Sequence, residues 1–188
     1  MPKRTIMIPS GLLTFARQVH FIEDPATVLE RAVDIIESAT GAAWVAAYTW
    51  SETGELTRSA ASGDIPFGSP DVVDADDPSL VALRAERSAL DGAEESALAG
   101  SLVLPFLSAG GITGLLAVGP AAEPYADDMR EALHTVATST GLALESLQVK
   151  ALRTELAHWR ERAEWAEREL GLLHRVLDRA NATHHAEI

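Results

Sequence analysis

An acidic run, Asp71, Asp74, Asp76 and Asp77, is the densest set of side chains here that could do chemistry, because carboxylates so spaced can hold a hard cation through oxygen ligands. The run lacks the glycine and terminal glutamate of a calcium loop. Asp77-Pro78 reads instead as the cap and first-turn proline of a helix, so capping and solvation are the better account. The histidines, His20, His134, His158, His174, His184 and His185, include no spaced pair with nearby carboxylates that reads as a zinc site. Ser101 and Thr113 fall on predicted strands without the glycine elbow that exposes a serine nucleophile. No phosphate loop is present. The sequence has no cysteine, which removes disulfides, thiolate metal sites and thiol nucleophiles together. It therefore predicts a chain that is not an enzyme, assigns it no metal and leaves any cofactor unknown.

The elements that position these residues can be read from caps and periodicity. Ser10 can cap a short helix through Leu12, Leu13, Ala16, Val19 and His20. Asp24-Pro25 opens a second helix, with Val28, Leu29, Ala32, Ile35, Ile36 and Ala39 on one side and a stop at Gly41. Then the period changes to two. Residues 43–50 and 55–62 read as strands joined across Glu52-Thr53-Gly54, and the first, apolar on both faces, is expected to be a central strand. Residues 63–76, rich in Gly, Pro, Ser and Asp, form a loop over the sheet anchored by Ile65, Phe67 and Val72-Val73. A short helix follows from Asp77-Pro78 through Leu80, Val81 and Leu83, then a polar turn from Asp91 to Ser96. Residues 99–107 and 112–119 make a second hairpin about Ala109-Gly110-Gly111, and a last helix begins near Tyr125.

That last helix changes its spacing along its length. Leu133, Val136, Ala137, Thr140, Leu144 and Leu147 follow the looser stripe of a helix lying on a globular body. From Val149 the apolar residues fall in a strict heptad: Val149, Leu156, Ala163, Leu170 and Leu177 at one core position, Leu152, Trp159, Ala166, Leu173 and Ala180 at the other. In a parallel pair the flanking partners are Glu155 with Arg160, Arg162 with Glu167 and Glu169 with His174, all attractive or neutral. Each contributes only ~0.5 kcal/mol, so they select orientation and register more than they supply stability. The expectation is a parallel, in-register homodimer. Ala163 and Ala166 thin the seam after bulky Trp159. Thr138-Ser139-Thr140-Gly141 is the weakest helix-forming stretch, and its small residues are expected to allow close crossing with the partner helix.

The chain is 47% hydrophobic, enough for one domain of ordinary size plus an extension. Its net charge of -13 is unevenly placed: Asp71 to Glu95 holds eight acids against Arg84 and Arg87, whereas Val149 to Ala180 has seven bases and six acids. An acidic body repels phosphate backbones and anionic lipid surfaces, so neither nucleic acid nor membrane is an expected partner. No run approaches the ~20 apolar residues of a membrane span, and the first residues lack a convincing signal-peptide cleavage site. The expected location is cytoplasmic.

The order helix, hairpin, loop with short helix, hairpin, long helix resembles a GAF domain. The residues that carry the likeness are the Asp24-Pro25 opening of the helix that ends in Thr40-Gly41-Ala42, the strand pair across Glu52-Thr53-Gly54-Glu55, and Leu104-Pro105-Phe106. To these are added Gly111-Ile112-Thr113-Gly114-Leu115-Leu116-Ala117-Val118, then Tyr125-Ala126-Asp127-Asp128 opening a helix with Ala137 and Leu142-Ala143-Leu144-Glu145. Gly114 lets chains approach closely, and Asp127 and Asp128 suit the positive end of a helix dipole. The resemblance implies an α/β (α+β) fold with an antiparallel sheet and helices on both faces, and a long C-terminal coiled-coil helix. It also implies a dimeric small-molecule sensor from a bacterial signalling protein. The Asn-Lys-Phe-Asp-Glu signature of cyclic-nucleotide-binding members is not visible. Without cysteine there is neither thioether attachment of a bilin nor thiol-based reduction of methionine sulfoxide. His134 is the one histidine placed to tempt a haem, and its neighbours Leu133 and Val136-Ala137 read better as a helix surface or interface.

With the pocket that the resemblance places between the sheet and its lid, the candidate ligand-binding residues are Trp44, Tyr48, Ser59, Phe67, Leu80 and Ser101. Trp44 and Tyr48 share a strand face, since side chains alternate; which face carries the pocket stays open. Taken singly, each of the six reads better as core. Phe67, an aromatic anchor in a polar loop, best suits a lid. The expected organisation is a tail over residues 1–9, a sensor domain over 10–148, a parallel coiled-coil helix over 149–180 and a tail over 181–188. The sensor would respond to an unidentified small molecule and pass its state to a downstream signalling protein or domain. The competing expectation is a ligand-free domain that only dimerises and presents the coil.

Overall fold

A computed structural model describes residues 9–51, 54–66 and 69–186, with the side chains of the last helix described as far as Arg175. Helix α1 spans Ser10–Gln18 and runs into a single 3-10 turn, Val19–Phe21. Its cap differs from expectation. Pro9 holds the N-cap position with extended backbone, and Ser10 is already helical, its carbonyl accepting from the Thr14 hydroxyl at 2.9 Å. Helix α2, Pro25–Thr40, begins and ends where its punctuation predicts. The Asp24 carboxylate accepts from the Thr27 N–H at 2.8 Å, Pro25 occupies the first turn, and Gly41 closes the helix at φ 62°, a left-handed conformation that glycine adopts without strain.

Six strands form one antiparallel sheet: β1 Trp44–Trp50, β2 Leu56–Gly63, β3 Val72–Val73, β4 Leu90–Asp91, β5 Leu102–Ser108 and β6 Gly111–Val118, in the order β3-β2-β1-β6-β5-β4. The strand with apolar residues on both faces is indeed central, lying between β2 and β6. Val45 and Ala47 enter one core with Leu29, Val33 and Ile36 of α2, Phe106 of β5 and Leu133, Val136 and Ala137 of the last helix. Trp44, Ala46 and Tyr48 enter the other, with Leu56, Val73, Leu98 and the helix α3, Pro78–Glu86, through Leu80 and Leu83. Helices thus cover both faces. The segment expected to be loop around Val72-Val73 contributes a two-residue edge strand, Leu56 pairing with Val73.

Helix α4, Asp127–Ala186, begins two residues after the expected start. The chain divides into two compact units with the boundary after Leu147. In the first, Leu133, Val136, Ala137 and Thr140 are buried, as the looser stripe predicts. Gly141 packs tightly within its own domain. A Cβ on it would lie 2.7 Å from the Leu107 carbonyl oxygen, so its small size serves the chain's own sheet. In the second unit the helix is regular, and its large seam residues Val149, Leu152, Leu156, Trp159, Leu170 and Leu173 are 40% to 58% exposed. Ala163 and Ala166 are exposed with them, and Leu177 lies outside the described side chains. No helix among the described residues is long and apolar enough to cross a membrane.

Candidate ligand-binding site

Strand β1 positions the first part of the site. Alternation sends Trp44 and Tyr48 to the face covered by α3, and both line a cleft of about 410 Å³ together with Pro66, Ser69 and Pro70 from the loop after β2, the 97–100 turn, and Pro120. The Trp44 indole lies flat on Gly119, where a Cβ would come within 2.5 Å of its Nε1. That N–H has no hydrogen-bond partner among the described residues, so one donor stays available in the cleft. The Tyr48 hydroxyl donates to the Pro70 carbonyl at 3.0 Å, tying the loop to the sheet. Burial raises the Tyr48 pKa above its ordinary 10.0, opposed by the positive charge of Arg58. None of the described residues lining this cleft carries a charge.

The other candidates lie elsewhere. Leu80 is fully buried beneath α3, among Tyr48, Leu83 and Leu98, and does not line the cleft. Ser59 is exposed at a bulge in β2, where the register slips between the pairs Ala47–Ala60 and Tyr48–Arg58. Its hydroxyl meets that of Thr49 at 2.6 Å, and Thr49 alternates with Tyr48, so Ser59 sits away from the cleft. The bulge defeats simple period-two counting, and it is Arg58 that pairs opposite Tyr48. Arg58 forms an ion pair with Asp71, while its Nη1 is buried without a hydrogen-bond partner among the described residues. Phe67 lies outside the described residues.

Ser101 belongs to a second cleft, of about 560 Å³, formed by the start of β5, the 119–125 turn and the first turns of α4. Its hydroxyl donates to the Leu98 carbonyl at 2.6 Å. Across this cleft Arg130 of α4 reaches Asp91 of β4, Nη2 to Oδ1 at 2.5 Å, and Tyr125 donates to the Gly119 carbonyl at 2.5 Å. Neither Arg130 nor Asp91 was a sequence candidate. They stand 39 residues apart, and only the sheet order brings them together.

Two carboxylates of the acidic run have partners within the fold. The Asp77 carboxylate is buried and accepts from the Ser79 N–H at 2.9 Å, the Ser96 hydroxyl at 2.7 Å and the Ala97 N–H at 2.9 Å. It caps α3 and fastens the 93–98 turn to it. Asp71 is engaged by Arg58.

No curated protein matches the chain by sequence. Solved structures do match its fold. The GAF domain of an Acinetobacter phosphoenolpyruvate-protein phosphotransferase superposes with a TM-score of 0.62 at 12% identity, covering 74% of this chain and 93% of that one. The free methionine-R-sulfoxide reductase of Neisseria meningitidis, solved with its substrate, gives 0.60 at 17% identity over 74% and 89%. The GAF-B domain of DevS from Mycobacterium smegmatis gives 0.56 at 20% over 69% and 99%. The GAF domain family model matches residues 24–144, most of the chain and all six strands, and the chain belongs to that family of sensory and regulatory domains.

Proposed function

We propose that this chain is a dimeric, non-enzymatic, cytoplasmic small-molecule sensor that relays occupancy of the Trp44–Tyr48 cleft through a parallel coiled coil to an output domain or partner protein. The observation that carries the reading is the exposed seam on α4. Moving a large apolar side chain from full exposure to burial contributes about 1.5–3 kcal/mol, so six half-exposed ones per helix supply roughly 10–20 kcal/mol to a pair. Association costs about 4–15 kcal/mol. A helix that leaves this stripe in water has a strong reason to find a second copy. The uncharged cleft, with aromatic and proline walls and one free indole N–H, suits a flat, neutral compound bearing a hydrogen-bond acceptor.

Light scattering on the full chain is expected to give a dimer mass. Because the chain has no cysteine, Leu156→Cys supplies a clean orientation test: in-register parallel helices set the two sulfurs face to face, and air oxidation yields a disulfide dimer. A monomer, or a dimer that does not cross-link at this seam position, overturns the relay. A thermal-shift screen with neutral heterocycles tests the cleft, with Trp44→Ala as the variant that abolishes any response.

A second reading is favoured by one specific feature. The space between α3 and the sheet is filled by Tyr48, Leu56, Leu80, Leu83 and Leu98, all fully buried, so the cleft lies beside a packed interior rather than within it. On that reading the domain is a ligand-free scaffold that dimerises and presents the coil. A dimer whose melting temperature answers no compound in the screen supports it.

A further inference from the structure

We propose that the second cleft, spanned by Asp91 and Arg130, is a binding site for a free α-amino acid, and that it is distinct from the Trp44–Tyr48 site. The cleft is lined by one cation, Arg130, and two carboxylates, Asp91 and Glu123, and Arg130 and Asp91 stand at bonding distance from each other, each with capacity left over. Arg130 uses Nη2 for Asp91 and Nε for the Tyr125 carbonyl at 3.4 Å, and its Nη1 has no partner among the described residues. Asp91 uses Oδ1 and keeps Oδ2. The pair is open to water, with Arg130 31% and Asp91 74% exposed, so it is weakly held and a ligand can enter between or beside its members at little cost.

A zwitterion matches this arrangement better than a singly charged ligand. A carboxylate placed against Arg130 can accept two parallel N–H bonds from the guanidinium fork, and an ammonium one carbon away reaches the free oxygen of Asp91. The charges of host and guest then alternate around a ring. A simple anion would leave Asp91 repelled, and a simple cation would leave Arg130 so. The Ser101 hydroxyl, already donating to Leu98, keeps a lone pair for the ammonium, and about 560 Å³ leaves room for a side chain against Pro120 and Pro124. Arg130 and Tyr125 flank the start of α4, whereas among the described residues none of α4 lines the Trp44–Tyr48 cleft. A ligand here would therefore grip the long helix directly.

Titration calorimetry on the full chain tests this with free α-amino acids, one at a time, each beside its matching amine without the carboxylate and its matching α-keto acid without the ammonium. At least one amino acid is expected to bind, and both truncated analogues to bind far more weakly. Arg130→Gln is expected to weaken that amino acid about 10- to 100-fold. Arg130→Lys keeps the charge and the pairing with Asp91 but loses the fork, and is expected to weaken it as well; circular dichroism checks that both variants keep their fold. Tyr48→Phe, at a residue that lines the first cleft and not the second, should leave this affinity unchanged, which separates the two sites. Binding by no amino acid, equal affinity for an amine or keto acid, or full affinity in both Arg130 variants overturns the proposal.

Discussion

Gly141 of α4 lies so close to Leu107 of β5 that a methyl group in place of its hydrogen would sit 2.7 Å from the Leu107 carbonyl oxygen and 2.9 Å from its nitrogen. Both obstacles are backbone and cannot swing aside. In an open helix a glycine-to-alanine change gains about 1 kcal/mol; here overpacking against the strand reverses the sign. Gly141→Ala is expected to destabilise the domain by about 1–3 kcal/mol in urea unfolding. Gly171, on the same helix with nothing within 4 Å, is the internal control, and Gly171→Ala should raise helix stability.

Asp77 supplies a second sharp expectation, because its carboxylate gathers three donors from two separate segments. Asp77→Ala strands a backbone N–H at Ser79, another at Ala97 and the Ser96 hydroxyl, and is expected to cost about 2–4 kcal/mol. Asp77→Asn keeps one acceptor oxygen and should cost roughly half as much. Equal losses in the two variants would show that the charge, rather than the hydrogen bonds, is what the site requires.

The two tyrosines of the chain should titrate late. Burial is the largest cause of the raised pKa at both Tyr48 and Tyr125, with Arg58 opposing it at the first and the nearby Thr40 hydroxyl at the second. A folded-state pKa raised above the unfolded 10.0 means that the fold prefers the neutral phenol. The associated stability is complete below pH 10 and is lost as pH climbs from there through each folded pKa. Difference absorbance is therefore expected to show less tyrosinate at pH 10 in the folded chain than in urea, where an ordinary phenol is about half ionised at that pH. Tyr48→Phe should flatten part of the alkaline loss while costing about 1 kcal/mol at neutral pH through the missing bond to Pro70.

A charge in the seam should separate the two units. Leu170→Glu places a carboxylate at a core heptad position and is expected to convert a dimer to a monomer in light scattering. The melting of the sheet domain at high dilution should stay that of the parent chain, since Leu170 lies in the other compact unit.

The parts of this molecule legible in its sequence are those decided by neighbours along the chain. Asp24-Pro25, Gly41 and Asp77-Pro78 mark helix ends through local hydrogen bonds and backbone angles, and the doubly apolar run from Trp44 announces a strand covered on both sides. Trp44 and Tyr48 are placed on one face by alternation alone. Ser59 escapes that counting because an unannounced bulge shifts its register, and Leu80 looks the same in sequence whether it lines a cleft or fills a core. The two-residue strands β3 and β4 are too short to carry a period. Asp91 and Arg130 give no local sign at all, since their meeting depends on which strand closes the sheet.

That closing edge has a bearing on how the protein behaves when crowded. Strand β5 is paired on its outer side only at Leu102 and Val103, beside the two residues of β4. Beyond them it contains Pro105, which has no amide hydrogen to offer, and then meets the α4 backbone at Gly141. A foreign segment seeking to extend the sheet would find a missing donor and a helix in its path, so templated fibril growth has little purchase on this flank.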